Sequence, residues 1–271
     1  MLFKSKKCSN CFVYYDPTLE QCPACHKENE LYTQRSFPAS IIFFHPTAQI
    51  GLFLCGFAYI GMLISEILAS ACLSGMKDSS LRTALVLLTS YLMMFGALLT
   101  ICLTTRRKSF LKKFTRWPDY LFGLAYAGGI FGAGLIISSI VTIFYQGVNN
   151  NQNAAIDLIN NYPIIATFVI CLLGPICEEL TYRVGLYSFF RRINKVLAFI
   201  VVITIFALIH FDFTASDIVG ELWSLPSYLA CGAILTIAYI HRGPACSMTA
   251  HVVYNTIAML MVILEGIVDG L

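Results

Sequence analysis

Charge is what this sequence has least of. Asp, Glu, Lys and Arg make up 12% of its 271 residues, where soluble domains carry about 25%. So few charges cannot clothe a water-soluble globule of 30.1 kDa, and they exclude a disordered chain and a coiled coil as well. No internal repeat and no low-complexity tract is present. The first residues, Met1-Leu2-Phe3-Lys4, do not read as a cleavable signal, because the first long apolar run starts only around residue 41. The net charge of +3 is too small to point to nucleic acid. What is abundant is apolar: 58% of residues are hydrophobic, the mean hydropathy is +0.73, and the apolar residues fall in long runs. Lipid is therefore the solvent for most of the chain.

Backbone groups in hydrocarbon must satisfy one another, so the runs are expected to be helices and the fold an all-α polytopic membrane protein. Seven spans are expected, near 48–73, 83–104, 119–145, 163–187, 196–211, 226–241 and 245–264. An eighth helix, re-entrant or interfacial, is expected near 37–47 or 150–162. Lys and Arg set the orientation. Arg106, Arg107, Lys108, Lys112, Lys113 and Arg116 crowd one loop, Arg191, Arg192 and Lys195 a second, and Arg242 a third. All three fall on one side, with Lys4, Lys6 and Lys7; the other side has only Lys77 and Arg82, beside the acids Asp212, Asp217 and Glu221. The N-terminus is thus expected in the cytoplasm, with a bacterial plasma membrane as the setting.

Eleven cysteines divide into two groups. Seven stand singly in apolar runs and read as small buried residues. The other four are Cys8-x2-Cys11-x10-Cys22-x2-Cys25, the spacing with which two tight turns present four thiolates to one zinc ion. Residues 1–35 are therefore expected to be a minimal zinc ribbon with Cys8, Cys11, Cys22 and Cys25 as ligands. It departs from the usual ribbon in having Phe12 and His26 where a glycine often follows the second cysteine of each knuckle. A linker at 36–47 leads to the membrane domain at 48–271.

Charged groups inside a span are costly and mark function. The fourth span carries Cys177-Glu178-Glu179-Leu180-Thr181-Tyr182-Arg183. Glu179 and Arg183 are four apart in the order that favours an ion pair; Glu178 points about 100° away and lacks a local cation. Pro175 cannot donate to the carbonyl one turn earlier and is expected to kink the helix there, opening space beside Glu178. The fifth span ends in Phe206-x3-His210, and the last carries His251-x3-Asn255 on one face. Counted at about 1.5 Å per residue from the basic loops, Glu178, His210 and Asn255 all lie about 20 Å deep, with His251 a turn shallower. A carboxylate, two imidazoles and an amide at one depth can hydrolyse a peptide. Glu178, helped by His210, would activate water as general base, and His251 and Asn255 would stabilise the oxyanion. A bound metal could instead activate the water, since His and Glu are suitable zinc ligands, but no H-E-x-x-H helix is present to call for one.

Glu178-Glu179-x3-Arg183, Phe206-x3-His210 and His251-x3-Asn255, in this order on successive apolar spans, resemble the three motifs of the CAAX-protease and bacteriocin-processing family. It is also called the Abi or type II CAAX prenyl endopeptidase family. The resemblance covers roughly residues 160–264. It implies a helical intramembrane endopeptidase in which Glu178, His210, His251 and Asn255 are catalytic and Glu179 and Arg183 supporting. The implied partners are a peptide or membrane-anchored protein substrate and the bilayer, with a cytosolic protein partner for the zinc ribbon. The alternatives are a transporter using Glu178 as a coupling carboxylate, or a non-catalytic scaffold acting through the ribbon.

Overall fold

The computed structural model describes residues 6–8, 10–11, 14–15, 19, 21–28, 54–56, 58–147, 149–191 and 194–269. The possible helix at 37–47, the linker and Phe12 lie outside them. Strands β1 (Lys6–Lys7) and β2 (Tyr14–Tyr15) pair antiparallel, Lys6 opposite Tyr15, and begin the cysteine-bearing element. Eight helices of eight or more residues follow among the described residues. They are α1 (Ala58–Cys72), α2 (Ser79–Leu111), α3 (Trp117–Phe144), α4 (Asn150–Asn161), α5 (Pro163–Phe190), α6 (Lys195–Leu208), α7 (Ile218–Arg242) and α8 (Pro244–Asp269). Each expected span holds a helix among the described residues, and α4 answers to the extra one near 150–162.

Five helices are long and apolar enough to cross a membrane: α2, α3, α5, α7 and α8. The chain is an integral membrane protein. The shorter α1 and α6 are also apolar. With 14 residues, α6 reaches only about 21 Å and stops short of the ~30 Å hydrocarbon thickness.

Local signals explain where the helices begin and end. Asp78 Oδ1 accepts from the N–H groups of Ser80 and Leu81 (2.9 and 3.0 Å) at the head of α2. Asn194 does the same for α6, accepting from Val196 and Leu197, and Asp217 for α7, accepting from Gly220. These side chains occupy donors that would otherwise be orphaned. Gly243, at φ +89°, makes the break between α7 and α8 that Pro244 then follows.

The centre of the bundle is α5. It packs against α2, α6 and α8, while α3 lies on α7 and α8 and α1 on α2. From Leu173 to Phe189 every residue of α5 except Ile176 is buried, whereas Ile60, Ile67, Ile136, Ile143 and Ile164 on other faces are exposed. A surface so apolar is the one a bilayer covers. Helix α5 winds as a π-helix over Thr167–Leu173 and Glu179–Tyr187. Pro175 falls in the first turn of the segment between them, and the N–H of Gly174 bonds back to the Val169 carbonyl. Widened winding on both sides, rather than a bare kink, takes up the missing donor, and such segments gather at functional sites.

Basic side chains converge at one end. Arg116 and Arg242 both approach Asp119 (3.9 and 3.8 Å), Lys113 lies 5.9 Å from the centre of the Tyr239 ring, and Tyr239 bonds Ser188 (2.8 Å). The tails of α2, α5 and α7 and the head of α3 thus share one face.

Close approach of α5 to residues 54–56 depends on glycine. A Cβ at Gly185 would collide with the Gly56 backbone nitrogen, while one at Gly128 meets nothing within 4 Å. Gly185→Ala is expected to destabilise the detergent-purified protein by about 1–3 kcal/mol, and Gly128→Ala to leave it unchanged. Thermal unfolding of the two variants beside the parent checks this.

Candidate active site

The acidic pair of α5 splits into two environments. Glu179 and Arg183 are fully buried and bonded, Oε1 to Nη1, at 2.8 Å. Arg183 has two further supports. Its Nη2 donates to the Gly232 carbonyl on α7 (3.1 Å), and its Cζ lies 4.6 Å from the centre of the Phe206 ring on α6. Gly232 allows this, because a Cβ there would meet the Phe206 ring at 3.0 Å. The same Oε1 of Glu179 lies 3.1 Å from His251 Nδ1 on α8. One carboxylate oxygen thus anchors an arginine and an imidazole, and with the Phe206 ring it ties α5, α6, α7 and α8 together.

Glu178 faces the other way. Its Oε2 lies 3.8 Å from His251 Nε2 and has no hydrogen-bond partner among the described residues. It lines a cavity of about 720 Å³ together with His210, His251 and Asn255. The four residues expected to converge therefore do so, from α5, α8 and the turn after α6. One detail departs from expectation: His251, rather than His210, is the imidazole within 4 Å of Glu178 among the described residues.

His210 is fixed by its surroundings. Its Nδ1 lies 2.7 Å from the Phe206 carbonyl, so Nδ1–H donates there and Nε2 keeps its lone pair. The ring stacks on Tyr228 at 4.5 Å. Asn255 Nδ2 donates to the Ile170 carbonyl (2.9 Å) in the first π segment, which leaves its other N–H and its carbonyl oxygen. Cys177, next to Glu178, is fully buried with Sγ 3.9 Å from the Tyr91 carbonyl, in keeping with packing.

The motifs did not reveal the polar rim over the cavity. Glu221, in the first turn of α7, is 1% exposed. Its Oε1 accepts from Asn150 N–H (2.8 Å) and its Oε2 from Asp212 N–H (3.1 Å). The Tyr228 hydroxyl accepts from Asn149 and Asn151 (3.3 and 3.0 Å), and Asp212 from the Asn150 amide (2.7 Å). The head of α4 is thereby clasped to the turn that carries His210. The sequence signal was the run Asn149-Asn150-Asn151-Gln152-Asn153 facing an acid-rich loop, which reads as ordinary surface until the fold closes it. Hydrogen bonds from Asn150 and Thr214 hold the Asp212 carboxyl below its usual range, and those from Tyr145 and Gly220 do so for Asp217. The rim is anionic at neutral pH.

Residues 160–257 match the Rce1-like family of type II CAAX prenyl endopeptidases. The Rce1-like region takes in α5 to α7 and the first half of α8, hence Glu178, Glu179, Arg183, His210, His251 and Asn255. The chain is also similar to the UPF0177 protein YvdC of Lactococcus lactis subsp. lactis (strain IL1403), with 26% identity over 132 residues. That alignment takes in 46% of this chain and 48% of the relative, so the chain spans about half the relative's length. No solved structure matches it.

A second cluster lies at the N-terminus. The sulfurs of Cys8, Cys11, Cys22 and Cys25 all fall within 4.8 Å of one another, with Cys8 to Cys25 and Cys11 to Cys22 at 3.6 Å. A disulfide needs about 2.05 Å, whereas a tetrahedron of sulfurs at ~2.3 Å from one ion has edges of about 3.8 Å. The four thiols thus fit a structural metal site. His26 takes φ +56°, the left-handed turn that the missing knuckle glycine would adopt more easily. N–H groups of Cys11 and Asn10 directed at Cys8 lower its thiol to about 6, and thiolate is the form that binds metal.

Removing one partner of a buried pair strands the other. Glu179→Gln is expected to cost about 3–5 kcal/mol, and Arg183→Met in that background to cost much less than Arg183→Met alone. A double-mutant cycle from unfolding in mild detergent checks the coupling.

Proposed function

We propose that this protein is an intramembrane endopeptidase that cleaves a peptide bond in a membrane-associated or lipidated peptide or protein. The observation that carries the reading is the meeting of a buried, unpartnered carboxylate oxygen with two imidazoles and an amide around one cavity. The family likeness supports the same reaction class.

In this mechanism Glu178 Oε2 takes a proton from a water molecule in the cavity. The oxygen of that water attacks the substrate carbonyl carbon, and the carbonyl oxygen becomes an oxyanion. The His210 Nε2 lone pair orients the water. His251, held through Nδ1 by Glu179, points an Nε2–H at the developing charge, and the remaining Asn255 N–H joins it. Glu178 then passes its proton to the leaving amine as the C–N bond breaks. Glu179 and Arg183 hold His251 in place without touching substrate.

The four N-terminal cysteines are proposed as ligands of a structural zinc ion in a ribbon over residues 1–35, followed by a linker at 36–47 and the membrane domain at 48–271. A cytosolic protein is the proposed partner for the ribbon and a bacterial plasma membrane the proposed site. No observation among the described residues favours the transporter or scaffold alternatives.

Two outcomes test these assignments. Glu178→Gln is expected to fold as the parent does and to lower peptide cleavage by the purified protein about 100-fold or more, with Asn255→Ala losing about 100-fold; turnover retained by Glu178→Gln removes the base assignment. One zinc per chain is expected by elemental analysis, lost in Cys8→Ser and in Cys22→Ser while the membrane helices keep their circular dichroism.

A further inference from the structure

The cavity is lined at one end of the bundle. Tyr145, Asn149, Asn151 and Gln152 line it from the tail of α3 and the head of α4, and Trp223 and Tyr228 from the head of α7. The basic face described above lies at the opposite ends of these helices. Trp223 stands nineteen residues before Arg242 on α7, about 28 Å along the axis, nearly the full hydrocarbon thickness. The mouth and the basic loops are therefore on opposite sides of the membrane.

Charge separates the two sides further. No Lys or Arg is among the residues lining the cavity, whose one carboxylate is Glu178. Just outside the lining, Asp217 accepts from the hydroxyl of the cavity-lining Tyr145, and Asp212 and Glu221 bond Asn150, which stands between the cavity-lining Asn149 and Asn151. Arg and Lys in short loops stay on the cytoplasmic side, and ten of them in the loops at 105–118, 188–195 and 242 oppose Lys77 and Arg82 on the mouth side.

We propose that the substrate enters from the membrane face opposite the basic loops, the non-cytoplasmic one, as a peptide segment without fixed negative charge. This rests on the proteolytic reading for the substrate, but the sidedness of the mouth stands without it. A segment bearing carboxylates is repelled by the rim and meets no cation inside.

The test uses the full chain with Trp117→Phe, which leaves Trp223 as the one tryptophan and alters a residue at the basic end. The protein is reconstituted in vesicles, and its orientation is scored by protection of an N-terminal tag from added trypsin. Caesium ions added outside are expected to quench Trp223 when the tag is protected and to leave it unquenched when the tag is exposed. Relative to free tryptophan amide, caesium is expected to quench more strongly than iodide. The reverse sidedness overturns the proposal, and an advantage for iodide overturns the anionic mouth. Quenched-fluorescence decapeptides added outside are expected to be cut only in tag-protected vesicles, and neutral ones at least tenfold faster than glutamate-flanked ones. Cleavage only in tag-exposed vesicles, or equal rates for both peptides, overturns it. Absence of cleavage in vesicles and in detergent removes the proteolytic reading, and with it the substrate class, while the quenching still decides the side.

Discussion

A fully buried carboxylate between an arginine and a histidine governs this structure. Glu179 and Arg183 lie where neither can be hydrated, and charges there are tolerated only when paired and bonded. The pair alone would leave donors unused, so Arg183 also takes the Gly232 carbonyl and the Phe206 ring. Glu179 also takes His251. Each requirement comes from a different helix. Satisfying them fixes α6, α7 and α8 around α5 and sets the His251 ring beside Glu178.

A second constraint is the brevity of α6. The polar backbone beyond it packs against the heads of α4 and α7 and must find partners there. Glu221 supplies two acceptor oxygens, one to that backbone and one to the head of α4. The same turn delivers His210, with Phe206 one helical turn earlier accepting its Nδ1–H. Hydrogen bonding of stranded backbone and orientation of a site imidazole are thus one arrangement. The cavity is where the short helix leaves room.

The spans were legible because lipid leaves the backbone few choices; seven apolar runs became seven helices, with α4 the eighth. The π-winding of α5 was not, since Pro175 foretold a disturbance but not its form. Glu178, His210, His251 and Asn255 were legible as polar groups out of place at a common depth. Glu221 was hidden, because an acid in the first turn of a helix is unremarkable until its burial is known. Tyr228 was hidden for a similar reason, as one of fourteen tyrosines.

From the sequence alone came the solvent, the element type, the sites of unusual polarity and the spacing of the four cysteines, because each follows from composition and from period along one chain. Only the tertiary structure decided which imidazole stands next to Glu178, that one oxygen of Glu179 serves two partners, and which end of the bundle the cavity opens on. Those are distances between helices far apart in sequence, set by packing around a buried charge, and no local pattern encodes them.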